Sequence, residues 1–107
     1  MSAIGELETV ILMAVLRLKS SAYGVSVQNE IAERTGRRLT RGAIYTALSR
    51  LETKGFLAGT VGEATPERGG RAKRFLTVTP EGMVALRGAL RDLDRMRSGL
   101  DELPVDA

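Results

Sequence analysis

Apolar residues along this chain follow two periodicities, and the change from one to the other lays out its elements. From Gly5 to Leu18 they recur so densely (Leu7, Val10, Ile11, Leu12, Met13, Val15, Leu16 and Leu18, with Ile4 just ahead) that the first helix is predicted to be apolar on nearly every side. Such a helix needs cover all round, and a second copy of the chain is expected to supply part of it. After a polar connection at Lys19 to Ala22, Val27 and Ile31 mark the buried side of a second helix, about Tyr23 to Thr35. Gln28, Glu30, Glu33 and Arg34 form its polar side, and Gly36 follows as helix-ending glycines do. Arg37 to Leu39 is too short for a helix and reads as one brief strand. Thr40 then offers a capping hydroxyl to a third helix. At about 100° per residue, Ile44, Ala47, Leu48 and Leu51 gather on one face of that helix. Gly42, Thr46, Ser49 and Thr53 lie opposite, flanked by Tyr45 and Arg50, and Gly55 ends it.

Beyond Gly55 the spacing shortens. Phe56 to Gly62 and Lys73 to Val78 alternate imperfectly, as strands do, and Pro66 with Gly69-Gly70 supplies turn chemistry between them. Thr79-Pro80-Glu81 restarts a helix: a capping hydroxyl, proline at the first helical position, and an acid near the positive end of the dipole. This fourth helix is predicted to reach about Leu100. Met83, Leu86, Leu90, Leu93 and Leu100 fit a heptad seam, with Arg97 interrupting it and Met96 beside it. Residues 101–107 read as an acidic, frayed tail. The expected fold class is mostly α with a small β-hairpin: a winged helix-turn-helix over residues 1–79, then a C-terminal dimerisation helix and tail over 80–107.

Composition narrows the chemistry. The 107 residues suffice for one core, and 43% apolar with 27% charged residues describe a folded domain. The chain has no cysteine and no histidine, which removes disulfides, thiolate chemistry, the usual zinc ligand sets and the commonest general base. Neither a metal nor a cofactor is expected. The longest apolar run, Val10 to Leu16, is too short to span a bilayer, and no positively charged leader precedes it, so a cytoplasmic protein is the expectation. Glu63 with Glu67, or Glu30 with Glu33, could pair as carboxylates but read more simply as solvated residues. No catalytic constellation stands out, and the chain reads as a non-enzyme.

The net charge of +3 hides an asymmetry. Between Arg37 and Arg74 nine basic residues face three acidic ones, leaving seven basic against ten acidic residues elsewhere. A basic middle on an otherwise acidic chain is the footprint of a nucleic-acid-binding surface. Its first candidate part is the third helix: Gly42, Thr46 and Ser49 allow close approach to base edges, while Arg50 has the reach and fork geometry for guanine or phosphate. Its second is the hairpin tip, Arg68, Gly69, Gly70, Arg71, Lys73 and Arg74, suited to straddle a phosphate backbone or enter the minor groove. The candidate double-stranded DNA surface thus comprises Tyr23, Arg38, Thr40, Arg41, Gly42, Tyr45, Thr46, Ser49, Arg50, Lys54 and those tip residues. Leu7, Ile11, Met83, Leu86, Leu90, Leu93, Met96 and Leu100 are the candidate homodimer interface, although the leucine seam could also pack within one chain. The alternative reading is a winged-helix module that docks on a protein and has no DNA role.

The order Leu39-Thr40, Gly42, Ile44-Tyr45, Leu48, Arg50-Leu51-Glu52 and Gly55-Phe56-Leu57, then Gly69-Gly70-Arg71, Leu76-Thr77 and Thr79-Pro80-Glu81-Gly82, resembles the PadR family of bacterial transcriptional regulators. Gly5-Glu6-Leu7-Glu8 and Tyr23-Gly24 fit it too, so the resemblance spans Gly5 to about Leu100. It implies a winged helix-turn-helix whose C-terminal helix forms a homodimer on operator DNA, usually as a repressor, and its single short C-terminal helix is similar to the small subclass. On the matching positions, Tyr23, Tyr45 and Arg50 would contact DNA, with Arg71 and Arg74 in the wing. Thr46 stands where proline is frequent, and Phe75 where tyrosine is common. Small members can hold a planar aromatic effector between subunits. Here the first and fourth helices either enclose an apolar cavity for such an effector, lined by Met13, Met83 and Met96, or pack that space shut, the second being the expectation.

Overall fold

The computed structural model describes residues 4–62, 73–100 and 102. Four helices and one two-stranded antiparallel sheet follow one another: α1 (Glu6–Leu18), a short 3-10 turn (Lys19–Ser21), α2 (Gly24–Thr35), α3 (Arg41–Thr53), β1 (Leu57–Val61), β2 (Arg74–Val78) and α4 (Pro80–Arg97). Each boundary lies within a few residues of where the hydrophobic pattern puts it.

Local chemistry explains most of those boundaries. At α1 the Glu8 carboxylate accepts from the Gly5 N–H at 2.9 Å, and at α2 the Ser26 hydroxyl accepts from the Tyr23 N–H at 2.9 Å. Thr40 caps α3 by accepting from the Ala43 N–H at 3.0 Å. The chain leaves α3 through Gly55, whose φ of 81° is costly for any residue with a Cβ.

The start of α4 is fastened to that same exit. Thr79 caps α4 by accepting from the Gly82 N–H at 2.9 Å. Its hydroxyl also donates to the Gly55 carbonyl at 2.6 Å, and its N–H donates to the Phe56 carbonyl at 3.1 Å. Gly82 lets the two segments meet, because a Cβ there would collide with the Phe56 carbonyl oxygen.

One core serves all the elements. Ile11, Leu12 and Val15 of α1 meet Val27 and Ile31 of α2, Ile44, Leu48 and Leu51 of α3, then Phe56, Leu57, Leu76 and Leu86. The strands pair in the register Leu57 to Val78 through Val61 to Arg74, so alternation turns Leu57 and Leu76 inward.

One expected element is missing. Arg37 to Leu39 forms no strand; the segment is irregular, and the Gln28 side chain donates to the Leu39 carbonyl at 2.7 Å. The free edge of β2 meets the connection between α1 and α2 instead, the Leu76 N–H donating to the Ala22 carbonyl at 2.8 Å. Within one protomer the first helix is not covered on every side: Leu16 is exposed near its end.

The heptad seam of α4 also divides into two halves. Leu86 is buried, Met83 and Leu90 are half-buried, and every residue from Arg91 to Leu100 is exposed. Ile11 and Leu86, expected at a dimer interface, are 0% and 3% exposed inside the protomer's own core and have no surface left for a partner. Among the described residues no single helix is long and apolar enough to cross a membrane.

Candidate nucleic-acid interface

The outer face of α3 is built from what its inner face excludes. With Ile44, Ala47, Leu48 and Leu51 buried, the 3.6-residue repeat leaves Arg41, Gly42, Tyr45, Thr46, Ser49 and Arg50 exposed. A shallow concavity runs along this face over Tyr45, Thr46, Ser49, Arg50 and Thr53. Next to it, a cleft of about 670 Å³ separates α3 from the hairpin, lined among others by Tyr23, Tyr45, Ser49, Glu52, Lys73 and Arg74. Tyr45 and Ser49 border both hollows, so the helix face and the base of the hairpin form one surface.

Aromatic packing gives the cleft its shape. The Tyr45 ring lies against the bare backbone of Gly24, at the start of α2. Tyr23 stands edge-on to Phe75 of β2, with ring centroids 5.8 Å apart at 77°. The Lys73 ammonium sits 4.3 Å from the centre of the Tyr23 ring, held at the mouth of the cleft. Composition alone could not have paired Lys73 with Tyr23, which lies fifty residues earlier.

Charge pairing sorts the basic residues. Among the described residues Arg38, Arg41 and Arg50 make no ion pair, so their guanidinium groups are open to an anion. Lys54 is different: its ammonium donates to both oxygens of Glu8 at 2.9 Å, bolting the end of α3 to α1. Lys54 thus already holds an acid partner within its own chain, unlike Arg38, Arg41 and Arg50. Burial pushes the Glu8 carboxyl up, but the Gly5 N–H and the Lys54 ammonium outweigh it and hold it below its ordinary value. Arg74 is also engaged, paired with Glu52 of α3 across the cleft.

Glu30 is clamped between Arg34 at 2.7 Å and Arg17 at 3.2 Å. The Arg34 hydrogen bond leads in holding its carboxyl below the usual range. It is a tie between α1 and α2, not half of a carboxylate pair. Arg68, Gly69, Gly70 and Arg71, together with Glu63 and Glu67, lie outside the described residues. Thr40 is exposed, and its hydroxyl oxygen accepts from the Ala43 N–H in the α3 cap. Met13 packs against the core, Met83 is half-buried and Met96 is exposed, and neither hollow is lined by any of them.

An exposed helix of small residues and arginine, set beside a β-hairpin and seated on a helical core, defines a DNA-binding regulator of the winged-helix kind. The chain belongs to the transcriptional regulator PadR-like family, which it matches over residues 11–88. Proteins of this family regulate transcription and are not enzymes. Among solved structures, a transcriptional regulator from Clostridium thermocellum is similar at a TM-score of 0.71 and 18% identity, covering 89% of each chain. A PadR-like transcriptional regulator from Bacillus cereus is similar at 0.70 and 20% identity, over 89% of this chain and 87% of that one. A PadR family transcription regulator from Clostridium difficile is similar at 0.66 and 25% identity, over 90% and 98% respectively. No curated protein matches the chain.

Proposed function

We propose that the protein is a homodimeric repressor that reads operator DNA with α3 in the major groove and touches the backbone or minor groove with its hairpin. The observation that carries this reading is the single surface running from Arg50 through Tyr45 and Ser49 to Lys73, with Arg38, Arg41 and Arg50 unpaired among the described residues. Cations left open on a face of small side chains can reach both phosphates and base edges.

Dimerisation is supported by the far half of α4, where Leu93 and Met96, three residues apart on one face, stand 62% and 78% exposed, with Leu100 53% exposed just beyond the end of the helix. Two such faces packed about a two-fold axis would bury one another and set two copies of α3 against successive turns of one DNA face.

A mobility-shift titration on DNA upstream of the protein's own gene, repeated across a salt series, tests the reading. Binding whose log affinity falls with log salt at about −0.9 per phosphate contact supports it. Failure to bind that DNA, or a random genomic pool, at low salt would instead favour a module that docks on another protein.

A further inference from the structure

The acid in the cleft calls for an explanation. Glu52 belongs to α3, lines the hollow between that helix and the hairpin, and places a carboxylate in a surface that otherwise favours polyanions. It pairs with Arg74, the first residue of β2. Arg74 reaches it by lying across the inner face of the hairpin, over Gly59 of β1. A Cβ at Gly59 would stand 2.6 Å from the Arg74 Nε, Cζ and Nη2 atoms. The register explains the route: Gly59 pairs with Leu76 and Val61 with Arg74, so Gly59 and Arg74 point to the same side of the ribbon as diagonal neighbours. Three residues on three elements thus make one connection, an acid on α3, a cation on β2 and a bare position on β1.

We propose that Glu52 and Arg74, with Gly59 as the gap that admits the guanidinium, form a strut fixing the hairpin against the reading helix. Glu52 is then a positioning residue, and Arg74 is a positioning residue rather than a phosphate ligand. The proposal rests on the DNA-binding reading for its consequence but not for its geometry. Sequence reading takes Arg74 for one more cation of the wing. The strut instead removes it from the count of phosphate contacts and gives it the task of keeping the two DNA-facing elements at a fixed separation. A pair of opposite charges adds nothing net to the attraction for phosphate. It contributes selectivity, because only DNA matching the fixed spacing engages helix and hairpin together.

Two perturbations of the full-length protein test this without changing its net charge. Glu52→Gln combined with Arg74→Gln removes both ends of the strut. Gly59→Ala leaves both charges in place, and the nearest atoms that its Cβ meets belong to the flexible end of Arg74, so the fold is expected to persist. Each variant should lower the preference for operator over random DNA by roughly two- to fivefold, the range of a partly exposed ion pair. The salt slope should remain that of the wild type. Backbone amides of Leu57–Val61 and Arg74–Val78 should exchange faster in both variants, a readout that needs no DNA.

If the double variant loses about 0.9 from its salt slope, Arg74 is a phosphate ligand and the strut is refuted. Unchanged selectivity in both variants, or unchanged strand exchange, overturns it equally. Absence of DNA binding by the wild type would reject the functional reading, while the exchange measurement would still decide whether the strut exists.

Discussion

The Glu8 carboxylate draws its two partners from opposite ends of the reading unit, the Gly5 N–H at its own helix start and the Lys54 ammonium at the end of α3. Because its folded pKa lies below the unfolded one, its contribution is fully present above the unfolded value and is lost as pH falls through the folded value. Glu30 is shifted in the same direction and acts with the same sign. Glu8→Gln should therefore lower stability at neutral pH and flatten the acid limb of a stability-against-pH curve measured by urea unfolding. Lys54, just past the end of α3, and Arg50, four residues earlier in that helix, should separate cleanly. Lys54→Ala strands a nearly buried carboxylate and is expected to cost about 1–3 kcal/mol in urea unfolding. Once folded, that variant should keep the wild-type salt slope on DNA. Arg50→Ala should leave stability within about 0.5 kcal/mol and weaken operator binding by about 1–3 kcal/mol in the mobility-shift assay.

At the scale of elements, the junction between α3 and α4 bears most weight. Gly82→Ala drives a methyl group into the Phe56 carbonyl, and we expect a loss of about 1–3 kcal/mol in urea unfolding. Wild-type stability in that variant would mean that α4 can ride away from Phe56 at little cost. How much of this was legible in the sequence depends on range. The caps at Thr40 and Thr79 and the exit at Gly55 are local, so residue type and spacing disclose them. The Leu76–Ala22 hydrogen bond is not, because backbone groups fifty-four positions apart carry no mark of partnership in their side chains. The same holds for Lys54, which as a bare cation in a basic block looks like one more DNA contact. Only its position over Glu8, forty-six residues away, reveals its other employment. The face of α3 was readable because periodicity alone decides which side of a helix is buried. The run at Arg37 to Leu39 is irregular where its residues suggest a strand, because short extended segments and short strands look alike until a partner strand is known.

For the whole molecule, the question is what becomes of the greasy end of α4. Leu90 is half-buried against its own core, so a charge there would damage the fold as well as any dimer. Leu93 is the cleaner probe. Leu93→Asp should sediment as a monomer with an intact unfolding transition, and should bind operator roughly 10²- to 10⁴-fold more weakly because two linked half-sites become one. A Leu93→Asp protein that still sediments as a dimer would place the contact elsewhere. Thr79 and Gly82, which fasten the root of α4 to Gly55 and Phe56, leave that junction without slack. In the proposed assembly, the long helix then behaves as a crank welded to its reading head. Any ligand or stress that changes the crossing angle of the two cranks must swing both heads, and a few ångströms of travel put them out of step with the roughly 34 Å pitch of the duplex.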